Sequence, residues 1–197
     1  MLRSPAATFE HLGDLPTACW KAVASDSSGQ YMVAASSLFC PTVAISHKHK
    51  QKNITSWPSA GSIYVSSNSG KHWVQATLES DKRDFVSISI SAKGQYIVAT
   101  ALNSPIVYSM NYGVSWSVSS STSSIAYASV TSSNSGLKVI ATAPLTNPIV
   151  SCENFNTLSS GLWVSMDYGQ SFVRDSMAPK VSWRSVSCDR DCGVRVG

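Results

Sequence analysis

Charged residues are scarce: Asp, Glu, Lys and Arg make up 13% of this 197-residue chain, about half the usual globular fraction. The Lys and Arg residues behind the formal net charge of +4 are scattered. Nucleic-acid binding calls for a basic stripe or an aromatic-interleaved basic patch, so that class is set aside. No apolar run is long enough to span a bilayer. Met1-Leu2-Arg3-Ser4-Pro5 lacks the apolar core of a secretory signal. The expectation is either a protein not exported by that route or a chain whose true start lies upstream, and the compartment stays open. A nucleophile elbow, a phosphate-cradling glycine loop and a zinc-ligand signature are also missing, so no cofactor and no metal are expected. The five cysteines (Cys19, Cys40, Cys152, Cys188, Cys192) are an odd number, which leaves at least one without an intrachain partner. Cys188 and Cys192 have no second His or Cys pair at metal-ligand spacing. They read as two thiols or a local disulfide.

What is abundant is Ser, Thr, Val and Ala, with hydrophobic residues at 43%. That is the composition of stacked sheets with tight turns, in one domain by length. One stretch occurs three times: Ser66-Ser67-Asn68-Ser69-Gly70-Lys71-His72-Trp73, Ser109-Met110-Asn111-Tyr112-Gly113-Val114-Ser115-Trp116 and Ser165-Met166-Asp167-Tyr168-Gly169-Gln170-Ser171-Phe172. Asn or Asp offers a short acceptor for backbone N–H groups two residues on. Gly supplies the left-handed turn position. The β-branched or aromatic runs Ile63–Val65, Ile106–Tyr108 and Leu162–Val164 lead in, so each copy reads strand, turn, strand. Asn68 and Asn111 keep the acceptor and drop the charge of Asp167. A hydrogen-bonding role fits this; a metal or acid role does not.

A second repeat precedes each turn. Strands opened by Trp20, Phe85, Tyr127 and Trp183 lead through a turn to Val-Ala strands that follow Gly29, Gly94 and Gly136. Aromatic to glycine is nine residues in the first three units (20 to 29, 85 to 94, 127 to 136) and ten in the fourth (183 to 193), as though that turn had gained a residue. Each unit is four strands, A to D, and repeats of about 40 to 50 residues with four strands are propeller blades. The expected division is a lone outer strand at 8–12, blades at 20–77, 85–120 and 125–175, and a partial blade at 183–197. Three and a half blades suggest part of a six- or seven-bladed ring, or a ring completed by self-association. Every sizeable insertion falls between strands B and C, so the insertions Ser36 to Ala60 and Pro144 to Ser160 are expected on the face opposite the repeated turns.

The repeated turns resemble the Asp-box (bacterial neuraminidase repeat) of sialidase- and sortilin-like propellers, over most of the chain from Phe9 onward. The resemblance implies an all-β propeller of four-stranded antiparallel blades. It also implies that Ser66, Asn68, Gly70, Trp73, Ser109, Asn111, Gly113, Trp116, Ser165, Asp167, Gly169 and Phe172 are scaffold, lying away from any ligand. Sialidases of this architecture use an arginine triad, a Tyr–Glu pair and an acidic proton donor. Their Arg-Ile-Pro signature is absent here, and no catalytic residue is assigned.

Candidate binding residues belong to the loop-bearing face. Arg83 and Asp84 precede a strand A, and Tyr127 and Arg184 begin later ones; together they form a polar mouth or merely solvate its edge. His47 and His49 lie in the cationic run His47-Lys48-His49-Lys50-Gln51-Lys52, an anion-contacting loop or a solvated one. Trp57, outside the repeat, is a candidate carbohydrate platform. Asn53-Ile54-Thr55 is a glycosylation sequon if the protein is secreted in a eukaryote. Three functions remain: a non-catalytic module for a protein or glycan partner, a sialidase-like glycosidase fragment, and an assembly factor.

Overall fold

The computed structural model describes residues 14–37, 61–78, 83–122, 124–144, 160–179, 181–193 and 195–196. The expected strand at 8–12, His47, His49, the sequon, Trp57 and most of both insertions lie outside these residues. Three four-stranded sheets and one two-stranded sheet follow one another along the chain, and no helix occurs among the described residues. The first sheet is β1 (Cys19–Ser25), β2 (Met32–Ser37), β3 (Ile63–Ser66) and β4 (Val74–Gln75). The second is β5 (Asp84–Ile90), β6 (Ile97–Leu102), β7 (Val107–Ser109) and β8 (Ser117–Val118). The third is β9 (Ser129–Ser132), β10 (Val139–Ala143), β11 (Gly161–Ser165) and β12 (Val173–Arg174). β13 (Ser187–Cys188) and β14 (Arg195–Val196) make the fourth. Every neighbouring pair is antiparallel and consecutive in sequence, as in propeller blades.

Sheets stack because neither face of a blade can stay wet. In β5 a bulge between Phe85 and Ser87 puts Phe85 on the same face as Ile88. The same bulge follows Trp20 in β1. Phe85, Ile88, Ile97, Ala99, Val107 and Trp116 of the second sheet pack against Val33, Ala35 and Ile63 of the first. Tyr127, Val130, Val139, Ala141 and Phe172 of the third repeat this against Val98 and Ile106. Val186 and Cys192 do so against Ile140 and Leu162. Each sheet thus turns a face of large residues to the sheet before it and smaller residues to the sheet after it.

The innermost strands are joined by bonds that recur at equivalent positions. The Ser87 hydroxyl accepts from the Val130 N–H at 3.1 Å, and the Ser129 hydroxyl from the Val186 N–H at 3.4 Å. Ser89 meets Ser132 at 2.8 Å, and Thr131 meets the Cys188 sulfur at 3.5 Å. Between the first two sheets, where Ala22 replaces the serine, the contact is apolar. A backbone ladder links the A–B turns: Ser27 N–H donates to Ala92 C=O (3.0 Å), Ala92 to Asn134 (2.9 Å) and Asn134 to Arg190 (2.7 Å).

One expectation fails here. The fourth A–B turn has not gained a residue, and Gly193 is not its turn glycine. Gly29, Gly94 and Gly136 have φ of 73°, 80° and 79°, and the residue in their place is Cys192, with φ of 55°. Its N–H reaches back to Asp189 C=O at 3.2 Å, as that of Gly94 does to Ser91 at 2.9 Å. Cys192 is disulfide-bonded to Cys188, and it joins Ser69, Tyr112 and Tyr168 as a non-glycine residue in the left-handed region. Of the two readings of this pair, the structure selects the local disulfide. Cys19 is disulfide-bonded too.

Candidate functional site

The three repeated turns share one bonding scheme, and it is internal. The Ser66 hydroxyl accepts from Gly70 N–H at 2.9 Å and donates to Asn68 Oδ1 at 3.0 Å. Ser109 and Ser165 do the same with Gly113 and Asn111, and with Gly169 and Asp167. The Asn or Asp oxygen accepts from the backbone N–H four residues on: His72, Ser115 and Ser171, each at 2.9 Å. The expected reach of two residues is thereby corrected. The N–H two residues beyond the Asn or Asp is the glycine's, and it donates to the serine hydroxyl instead. Trp73 and Trp116 close the turns by donating their indole N–H to Gly70 and Gly113 C=O, both at 3.0 Å. Phe172 has no such donor; its own N–H goes to Ser121 Oγ at 2.6 Å. For Asp167, burial works to raise the carboxyl. Bonds from the Ser171 hydroxyl and N–H, the Ser165 hydroxyl and the Gln170 N–H outweigh it and hold the carboxyl below its usual range.

These turns lie on the rim of the A–B turns, because Ser69, Tyr112 and Tyr168 N–H donate to Gln30, Gln95 and Leu137 C=O (2.9, 3.0 and 3.1 Å). Strand alternation sends the B–C and D–A connections to the opposite rim. Arg83 and Asp84 sit there, at the junction of the first two sheets. Arg83 is 9% exposed. Its guanidinium donates from Nη1 to Ser104 Oγ (2.6 Å) and Pro105 C=O (3.0 Å), and burial pushes its pKa down. Asp84 accepts from the Ser37 hydroxyl at the end of β2. Gly61 lets the backbones close up: a Cβ there would stand 1.7 Å from Arg83 O.

The other candidates are not gathered with this pair. Tyr127 is fully buried in the core between the second and third sheets, edge-to-face with Trp163 at 6.4 Å. Its hydroxyl has no hydrogen-bond partner among the described residues, and burial drives its pKa upward. It occupies the place of Phe85, a packing position. Arg184 is exposed, just before β13. Ser37 and Ser104, which Asp84 and Arg83 hold, were not singled out from sequence, because one serine in a serine-rich chain carries no signal.

A groove of about 500 Å³ lies on the rim of the repeated turns, lined among others by Tyr31, Val65, Val74, Gln75, Tyr112 and Val114. The Tyr31 and Tyr112 rings, 4.7 Å apart, form part of its wall. No metal-holding cluster of His, Cys, Asp and Glu occurs among the described residues.

No protein-family model matches the chain, and no curated protein matches it by sequence. Solved structures do. A GH74 enzyme of Niastella koreensis superposes with a TM-score of 0.52 at 18% identity, over 85% of this chain and 19% of that one. YCF48 bound to a D1 peptide gives 0.52 at 11% identity, over 81% and 41%. A nidogen/laminin complex gives 0.53 at 11% identity, over 86% and 52%. At these identities the likeness shows the fold alone. The chain spans less than two thirds of each of these three structures.

Proposed function

We propose that the repeated turns are Asp-box turns and that the chain is a non-catalytic binding module, taking a protein or glycan partner on the rim that bears the B–C loops. The observation that carries this is the division between the rims. The polar groups of the repeated turns are engaged in shaping the turns themselves. The two long connections, from Ser37 to Ile63 and from Ala143 to Gly161, both depart from the other rim, the rim that carries the Arg83–Asp84 pair. Long loops on one edge of a rigid sheet scaffold are where binding residues concentrate. The similar structures captured with a D1 peptide and with laminin lend the reading support by analogy of fold.

The test compares substitutions on the two rims. Partners captured by the full chain, or glycans retained on an array, should be lost in a variant combining Arg184→Glu, His47→Ala, His49→Ala and Trp57→Ala. They should persist in Val114→Glu. The reverse pattern would move the site to the Tyr31–Tyr112 groove and sink the loop-face reading. A glycosidase piece is the second reading, favoured by the likeness to a GH74 enzyme. Hydrolysis of a fluorogenic sialoside or another aryl glycoside by the complete protein would select it.

A further inference from the structure

One position is buried in every sheet except the first. Three residues after the opening aromatic stand Ile88, Val130 and Val186, exposed by 6%, 6% and 7%, whereas Val23 is 68% exposed. The opening aromatics agree: Phe85 and Tyr127 are fully buried, and Trp20 is 37% exposed. In the later sheets this face is covered by the inner strand of the preceding sheet, which offers small residues two and four places after its aromatic. Those are Ser87 and Ser89 toward the third sheet, and Ser129 and Thr131 toward the fourth. The outer half of the first sheet's face is already closed, with Leu15 packed on Ala34, Tyr64 and Trp73. Among the described residues no side chain closes the inner half, and Trp20 and Val23 are exposed there.

The fourth sheet carries the complement. Ser185 and Ser187, at the same two places, are both exposed. The turn ladder also ends there: among the described residues Arg190 N–H donates to no such carbonyl, and Ser27 C=O receives no such donor.

We propose that this open half-face is a self-association surface, on which the fourth sheet of a second copy of the chain docks as a further blade. Ser185 of one copy accepts from Val23 N–H of the next, as Ser129 does from Val186. The Arg190 N–H donates to Ser27 C=O, as Asn134 donates to Arg190. Trp20 and Val23 are covered by Ser185 and Ser187. The occupant is argued from continuity: three copies of this sheet interface already exist within the chain, and each pairs a large apolar face with small residues, alanines in the first and hydroxyl residues in the other two. The contact is head-to-tail, so it forms a ring where the rotation closes and a filament where it does not.

Sedimentation of this 197-residue chain tests this, with near-UV circular dichroism as the check of folding. Wild type should associate in a concentration-dependent way. Val23→Asp, which spoils the apolar face, and Ser185→Trp, which overfills the small-residue face, should each be monomeric and folded. Mixed, they should give a one-to-one heterodimer, since each retains the half the other lacks. A wild type that stays monomeric would overturn the proposal and leave a sheet of a longer polypeptide as the occupant. Association that survives Val23→Asp, or folded single variants that do not complement, would overturn it as well.

Discussion

Three glycines permit the cost of backbone conformation to be separated from the cost of close packing. Gly29 has φ of +73° with nothing within 4 Å of where a Cβ would sit. Gly113 has φ of +82°, and its Cβ would stand 2.6 Å from Val65 Cγ2 and 3.2 Å from Cγ1. Gly29→Ala should therefore cost only the left-handed term, about 1–2 kcal/mol. Gly113→Ala adds overpacking of about 1–3 kcal/mol, for a total of roughly 2–5 kcal/mol. Both crowded atoms belong to Val65, so Val65→Ala should relieve the second term and not the first. The double variant should show a favourable coupling of about 1–3 kcal/mol. Gly61→Ala has no left-handed term, but its clash is with backbone oxygens, Arg83 O at 1.7 Å and Ser36 O at 2.9 Å. Neither can swing aside, and a loss above about 4 kcal/mol is expected, in the range reserved for displaced elements. Urea unfolding of the five variants is the assay. Equal losses for Gly29→Ala and Gly113→Ala, with no coupling to Val65→Ala, would refute the placement of the second turn against the first sheet. A mild Gly61→Ala would refute the junction at Arg83.

Two further outcomes follow from the bonds. Asp167 has a folded pKa below its unfolded value, so its contribution is complete above the unfolded pKa of about 4 and is lost as pH falls through the folded one. Asp167→Asn should therefore fold normally at neutral pH and lose less stability than wild type between pH 5 and pH 2 in thermal melts. Asn111, whose Nδ2 donates to Ser115 Oγ at 2.8 Å, shows how the amide would be accommodated. Ser87→Ala strands the Val130 N–H between two sheets, at a cost of about 1–3 kcal/mol. Hydrogen exchange at the Val130 amide should quicken relative to that of Val139.

The architecture was legible because its signals repeat. Aromatic, glycine and Ser-x-Asn/Asp-x-Gly recur at near-constant spacing, and a repeat cannot be explained by local chance. The fourth turn was misread because the eye follows glycine. A non-glycine residue, Cys192, takes the left-handed position there, and sequence does not display that choice. The reach of the turn acceptor was misjudged for a related reason: once the serine hydroxyl faces the nearer N–H groups, the carboxamide oxygen serves the one four residues on. The rim was far less legible. Tyr127 reads as a polar rim group at the start of a strand, yet it differs from Phe85 by one buried oxygen. Ser37 and Ser104, which do engage Asp84 and Arg83, are indistinguishable in sequence from the many serines that face solvent.

The central claim is that successive sheets face one another across inner strands in a fixed register. It is tested most directly by a crosslink between Ser89 and Ser132, whose hydroxyl oxygens lie 2.8 Å apart across the second and third sheets. A Ser89→Cys/Ser132→Cys variant, oxidised while folded and mapped by peptide mass spectrometry, should form that disulfide quantitatively within one chain. A Ser89→Cys/Ser120→Cys control should not. Free thiols at 89 and 132 in the folded, oxidised protein would contradict the radial arrangement of the sheets.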